Sequence, residues 1–317
     1  MTSASDARPR GDHGGARGLP PSGYGLLASL TLFWGLNWPI MKIVLNEMPV
    51  WTFRSLCLIA GGGALLAIAK LGRRPLRVPT GEIRPLLVCS LFNIVGWHLF
   101  SGYGVSLIES GRAAIIAFTM PVWAAVLGRI VLGERFTPTG VIGLGLGILG
   151  LAVLMGPDLA SLGAAPLGGL FMLAAAASWA AGTVFMKRYT WSMPVGVLAG
   201  WQLMIGALPV TLGAVLLEPL PNPAELSIQA LLALVYVLAL PMVFCHWAWF
   251  SIVRLFPAAV AAAGTLAIPV VGVISGAILL GEALGGREIT ALVLVCAALA
   301  SVLVIPAWRG ARARQLK

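Results

Sequence analysis

Apolar stretches of roughly twenty residues, each closed by prolines, glycines or a few charges, follow one another along nearly the whole chain. They run at about 25–45, 51–69, 85–105, 111–132, 138–155, 167–187, 195–217, 228–252, 257–280 and 288–306. A hydrocarbon core about 30 Å thick takes roughly 20 apolar residues as a helix, so the pattern predicts ten transmembrane helices. The connections carry helix breakers: Pro49, Pro75 and Pro79, Pro157, Pro194, Pro219 with Pro221, and Pro257. Thr137-Pro138 sets a capping residue before a first-turn proline and marks the start of the fifth helix. Residues 1–24, rich in Gly, Ser, Pro and Arg, cannot bury a core and read as a disordered tail. No small-residue cleavage site follows, and the first apolar run outlasts a signal-peptide core.

The pattern is written twice. Aligning 109–135 with 257–283 gives nine identities in 27 positions without a gap, among them Pro121/Pro269, Gly128/Gly276, Gly133/Gly281 and Glu134/Glu282. The segment FWGLNWPIMK at 33–42 likewise matches SWAAGTVFMK at 178–187, with Trp34/Trp179, Met41/Met186 and Lys42/Lys187 coinciding. Paired Pro and Gly-Glu are costly coincidences in an apolar chain, so the sequence is an internal duplication. The halves are 25–155 and 166–306, followed by a basic tail at 307–317.

Composition places the duplication in a membrane. The chain is 59% hydrophobic and 10% charged, with a mean hydropathy of +0.95, against ~25% charged residues in soluble domains. Its four cysteines, Cys57, Cys89, Cys245 and Cys296, fall inside apolar runs without paired spacing, which fits neither a disulfide framework nor a metal site. The net charge of +10 is explained by topology rather than by nucleic acid. With a cytoplasmic amino terminus, 17 Lys and Arg fall inside and only four (Lys42, Arg54, Arg112, Arg287) outside, a strong positive-inside bias. Both termini are then cytoplasmic. Because each half has five helices, the second enters the membrane from the opposite side, giving inverted repeats with a site expected near the midplane where the halves meet.

The doubled Pro-centred helix ending in Leu-Gly-Glu, the Trp-bearing first helix and Arg54 opening the second resemble the EamA-type transporters of the drug/metabolite transporter superfamily. The resemblance covers nearly everything from 25 to 306. It implies an all-α, ten-helix inner-membrane carrier working by alternating access, many such proteins being exporters of amino acids or other small metabolites.

Polar groups inside a bilayer are costly and usually have a task. His98 and His246 lie in the third and eighth helices, separated by 148 residues; they either hydrogen-bond substrate or bond to backbone between packed helices. Trp34, Asn37 and Trp38 share a helical face and, with Trp179 and Thr183, suit a mostly apolar, aromatic pocket with a few polar groups; the alternative is an interhelical packing face. Arg54, one turn into the second helix, is placed as a carboxylate clamp or outer gate, with snorkelling to the interface favoured; a 148-residue offset makes Gln202 its repeat mate. Pro121 and Pro269 read as a hinge or fixed kink. Gly143/Gly147 and Gly272/Gly276 read as contacts within one chain. Glu134 and Glu282 sit at helix ends beside the following helix start and read as structural caps.

No acidic residue lies at the centre of an apolar run. The four-helix multidrug exporters of the same superfamily use a glutamate in their first helix; here that helix reads WGLNWPIMK, which disfavours carboxylate-based proton exchange of cationic drugs. The sequence shows no nucleophile triad, phosphate loop, metal cluster or ATP-binding domain. The expected function is therefore a secondary carrier, not an enzyme, for a small neutral or zwitterionic metabolite. No cofactor and no nucleic acid are called for; the partners are the lipid bilayer and a small-molecule substrate, and the protein is a monomer or weak homo-oligomer. The alternatives are a membrane-embedded enzyme using His98 and His246, or a multidrug or cation exporter.

Overall fold

The computed structural model describes residues 21–134, 137–160, 164–219, 222–255, 266–305 and 308. Most of the two expected tails, Pro257 and the opening of the ninth expected span lie outside the described residues. Among the described residues the protein is helical, with no strand. In chain order the helices are α1 (Pro21–Leu45), α2 (Val50–Leu71), α3 (Ile83–Ser90), α4 (Trp97–Leu107), α5 (Ser110–Ala117), α6 (Met120–Leu132), α7 (Pro138–Ala160), α8 (Ala164–Arg188), α9 (Val195–Leu217), α10 (Ile228–Val237), α11 (Cys245–Leu255), α12 (Ala267–Leu280) and α13 (Gly286–Leu299). Among the described residues, eight helical stretches are long and apolar enough to cross a membrane. The remaining two expected stretches hold α12, a shorter apolar helix, and α13, continued by a π turn at Ala300–Val304.

Two spans are not plain α-helix. The third is α3, a π segment at Leu91–Gly96, then α4; the eighth is α10, a π segment at Leu238–Phe244, then α11. The fourth is broken at Phe118–Thr119, between α5 and α6, ahead of Pro121. A proline lacks the amide that would continue the ladder. The end of α5 closes instead through Phe118 N–H to Ala114 O and Thr119 N–H to Ile116 O.

The halves interlock. The second spans α2 and α9 pack together, and so do the fifth spans α7 and α13. The first helix of each half lies against the other half: α1 against α10, α11 and α12, and α8 against α4 and α6. Small residues permit the close approach that replaces a hydrophobic driving force in lipid: a Cβ on Gly143 would stand 2.4 Å from Val302, and one on Gly147 would stand 2.7 Å from Val122. These contacts are within one chain.

Long-range hydrogen bonds sort the helix ends into two faces. Where α1 ends, the distal face, Glu218 accepts from Trp51 N–H and Thr52 N–H at 2.9 and 2.8 Å and caps α2. Glu47 accepts from Ser227 N–H and O–H at 2.7 and 2.6 Å. On the proximal face Glu82 accepts from Ser192 N–H and O–H at 2.8 and 2.5 Å, and Trp201 donates to Leu76 O at 2.8 Å.

Candidate functional site

Each π segment is followed within two residues by one of the paired histidines. A π turn carries an extra residue and often marks a functional position. The two imidazoles lie within electrostatic reach of each other, yet their surroundings differ. His246 Nδ1 bonds Pro241 O at 2.9 Å inside the π segment, and Trp34 meets its ring edge-on at 6.0 Å. His98 is 7% exposed, and its Nδ1 has no hydrogen-bond partner.

The aromatic residues form two related clusters. On one side Trp34 packs on His246 and on Trp249, the latter at 6.1 Å; on the other, Trp179 packs on Trp97 at 5.1 Å. In each case the tryptophan of one half's first helix rests on the other half's third span, beside the histidine. Trp38 is buried, and its ring faces Gly272. The Thr183 hydroxyl donates to Trp179 O at 2.9 Å and is occupied within its own helix. Asn37 Oδ1 is buried without a partner.

Arg54 does not snorkel. It is 4% exposed; its Nη2 donates to Ser101 Oγ at 2.9 Å, its guanidinium lies 5.2 Å from the Phe53 ring centre, and its Nε has no partner. The helix is held at that end by a Trp51–Tyr103 hydrogen bond of 2.8 Å one turn outward, so the side chain turns inward. Nor is Gln202 its repeat mate. The prolines that open α2 and α9, Pro49 and Pro194, align at an offset of 145, which sets Ala199 opposite Arg54. The same register pairs the Gly61–Met242 approach with Gly206–Ile94. Extra residues in α10 and its π segment then shift the offset to 148 at the histidines.

Gln202 instead meets a residue that the sequence reading passed over. Asn93 Nδ2, in the first π segment, donates to Gln202 Oε1 at 3.2 Å. The Asn93 amide fills the space that Gly182 leaves: a Cβ there would stand 2.0 Å from Asn93 Oδ1. In the other half these positions are Pro241 and Asn37, so the amide stands on the opposite partner of the interface. An asparagine amid LFNIVGWH was the available signal. The clasps noted above are exchanged likewise: Glu47 and Ser192 are one repeat position, Ser227 and Glu82 the other.

At the helix ends, Gly133 and Gly281 both have φ of 67°, a left-handed conformation that favours glycine. Glu282 caps a helix of the other half, not the following one. Its carboxylate accepts from Ser110 N–H at 2.6 Å, Ser110 O–H at 2.9 Å and Gly111 N–H at 2.9 Å, at the start of α5. Around it Lys42 donates to Ile108 O, and Arg112 pairs with Glu288 at 2.9 Å. Glu134, its counterpart on the proximal face, lies 3.6 Å from Lys187, and these side chains are 49% and 62% exposed. The helix start opposite Glu134 lies outside the described residues.

The model of the EamA-like transporter family matches the chain twice, over residues 21–156 and 166–304. The uncharacterized transporter YoaV of Bacillus subtilis is 27% identical, covering 85% of this chain and 92% of its own. A protein of Salmonella typhimurium named a probable amino-acid metabolite efflux pump is 28% identical, covering 87% and 93%. A solved crystal structure superposes with a TM-score of 0.63 at 24% identity over 91% of this chain, a likeness of fold.

Proposed function

The chain belongs to the EamA-like transporter family, and on that premise we propose that it is a secondary carrier. It moves a small organic metabolite, an amino acid or related compound, out of the cell across the inner membrane by alternating access, with both termini cytoplasmic. The observation that carries this reading is the exchange symmetry of the fold: each first helix, with its tryptophan, rests on the π-broken third span of the other half. A central site shared by two inverted halves can be presented to either face by rocking one half against the other. The name of the Salmonella relative favours amino acids. The charge bias of the loops supports the orientation.

Exchange of cationic drugs is disfavoured because the eight described glutamates all lie at or beyond helix ends. Efflux of radiolabelled amino acids from proteoliposomes, with the product identified chemically, tests the reading. Movement without chemical change supports it; conversion of the substrate, or no flux above empty vesicles, overturns it.

A further inference from the structure

We propose that Arg54 binds the carboxylate of the transported metabolite, with the Ser101 hydroxyl and the His98 ring beside it; this rests on the carrier reading above. The Arg54 guanidinium is a buried cation of the membrane interior, 4% exposed. Among the described residues no carboxylate pairs with it; it lies beside the Ser101 hydroxyl, the Cys57 thiol and the Phe53 ring. A buried charge without a counter-charge is strongly unfavourable in a low dielectric, and in a membrane such a residue marks a functional site by default. Its Nε still has a hydrogen to donate, and the planar fork of arginine matches a carboxylate with two parallel bonds. His98 is linked to the same serine, its backbone carbonyl accepting from the Ser101 hydroxyl at 3.4 Å, and its ring Nδ1 has no hydrogen-bond partner.

Packing does not account for the arginine. The symmetry-related positions in the other half are Ala199 and Trp249, opposite Arg54 and Ser101, and there the same frame packs without a charge or a hydroxyl. On the adjoining span Gly102 faces both Val50 and Arg54: a Cβ there would stand 2.6 Å from Val50 Cγ1 and 3.3 Å from Arg54 Nε. A single guanidinium matches one negative charge, which selects a monocarboxylate over a doubly charged phosphate.

The test begins with proteoliposomes holding the full chain and loaded with the twenty radiolabelled L-amino acids. If none leaves faster than from empty vesicles, the amino-acid reading fails and this inference fails with it. For the amino acid that leaves fastest, its carboxamide and its decarboxylated amine are then offered as competitors to the unmodified carrier. Both should compete at least ~tenfold more weakly than the acid, the loss expected when a charge-assisted pair is removed. Equal competition overturns the carboxylate assignment and leaves the carrier reading standing. Arg54→Gln should raise the KM for the acid by a similar factor while leaving that for the amine unchanged, and Arg54→Lys should recover part of the loss. Unaltered KM in a folded Arg54→Gln protein overturns the assignment as well; the competitor series needs no variant and stands if Arg54→Gln does not fold.

Discussion

Replacing Glu282 by Gln probes the tie between the end of α12 and the start of α5. The carboxylate takes three bonds, from Ser110 N–H, Ser110 O–H and Gly111 N–H. Gln keeps one acceptor oxygen, but its amide nitrogen turns a donor towards groups that are themselves donors. Each hydrogen bond to a charged group contributes about 1.5–3 kcal/mol, and an anion at a helix start adds about 0.3–1 kcal/mol. Water reaches the half-buried Glu282 and offsets part of this, so a net loss of about 2–3 kcal/mol is expected. Denaturant unfolding of the purified variant in mixed micelles reads that loss. A double-mutant cycle with Ser110→Ala should give a coupling of at least about 1 kcal/mol. Glu134→Gln, which alters an exposed pair at 3.6 Å, should cost only about 0–1 kcal/mol. A loss below about 0.5 kcal/mol for Glu282→Gln, the scatter of ordinary surface changes, would refute the capping argument.

The Glu47–Ser227 clasp should be insensitive to pH near neutrality. Hydrogen bonds from Ser227 hold Glu47 below its ordinary carboxylate value, so its contribution is fully present above the unfolded value and is lost as pH falls through the lowered one; spin labels at Asn46 and Ile228 that separate between pH 8 and 6 would contradict this. Gly182→Ala places a Cβ 2.0 Å from Asn93 Oδ1 and 2.8 Å from its backbone nitrogen and should destabilise by about 1–3 kcal/mol. Asn93→Ala should recover only part of that, because the backbone contact remains; full recovery would relieve the π segment of any role in the clash. A reporter active only outside the cytoplasm, fused after Lys317, should stay silent, and activity there would overturn the proposed orientation.

What the sequence made legible follows from what its signals encode. Length and apolarity locate the spans because a bilayer imposes both, and the paired prolines and Gly-Glu steps disclose the duplication because each meets a local backbone demand. The φ of 67° at both Gly133 and Gly281 is such a demand. The π segments left no trace in the hydrophobic pattern, since one extra residue in a uniformly apolar helix disturbs no periodicity. Two extra residues in α10 and one in its π segment move the repeat offset from 145 to 148, and the larger offset sets Gln202 rather than Ala199 opposite Arg54. The partner of Glu282 lies 172 residues away; a helix-end acid announces that it caps something, but which start it reaches is decided by tertiary packing. A position near a helix end permits an arginine to snorkel, whereas the bond to Ser101 on a neighbouring span holds Arg54 inside.

The exchanged contacts bear on how such a molecule divides its free energy between two states. If the halves were identical, the two states related by the pseudo-twofold would have equal internal energy, and only the ligand or the membrane could choose between them. At the two clasps the structure keeps the geometry of the contact while trading the residues, carboxylate for hydroxyl between Glu47–Ser227 and Ser192–Glu82. A traded pair conserves the bond and its approximate strength, so it keeps the balance close to even. The residues that are not traded, Arg54 against Ala199 and Ser101 against Trp249, do not conserve it. A shift of one state against the other by 1.4 kcal/mol changes their ratio about tenfold, and one uncompensated guanidinium is worth more than that. On the carrier reading, the Arg54 side of the molecule therefore contributes to the preference between states, and a counter-charge carried by the substrate would act on that contribution.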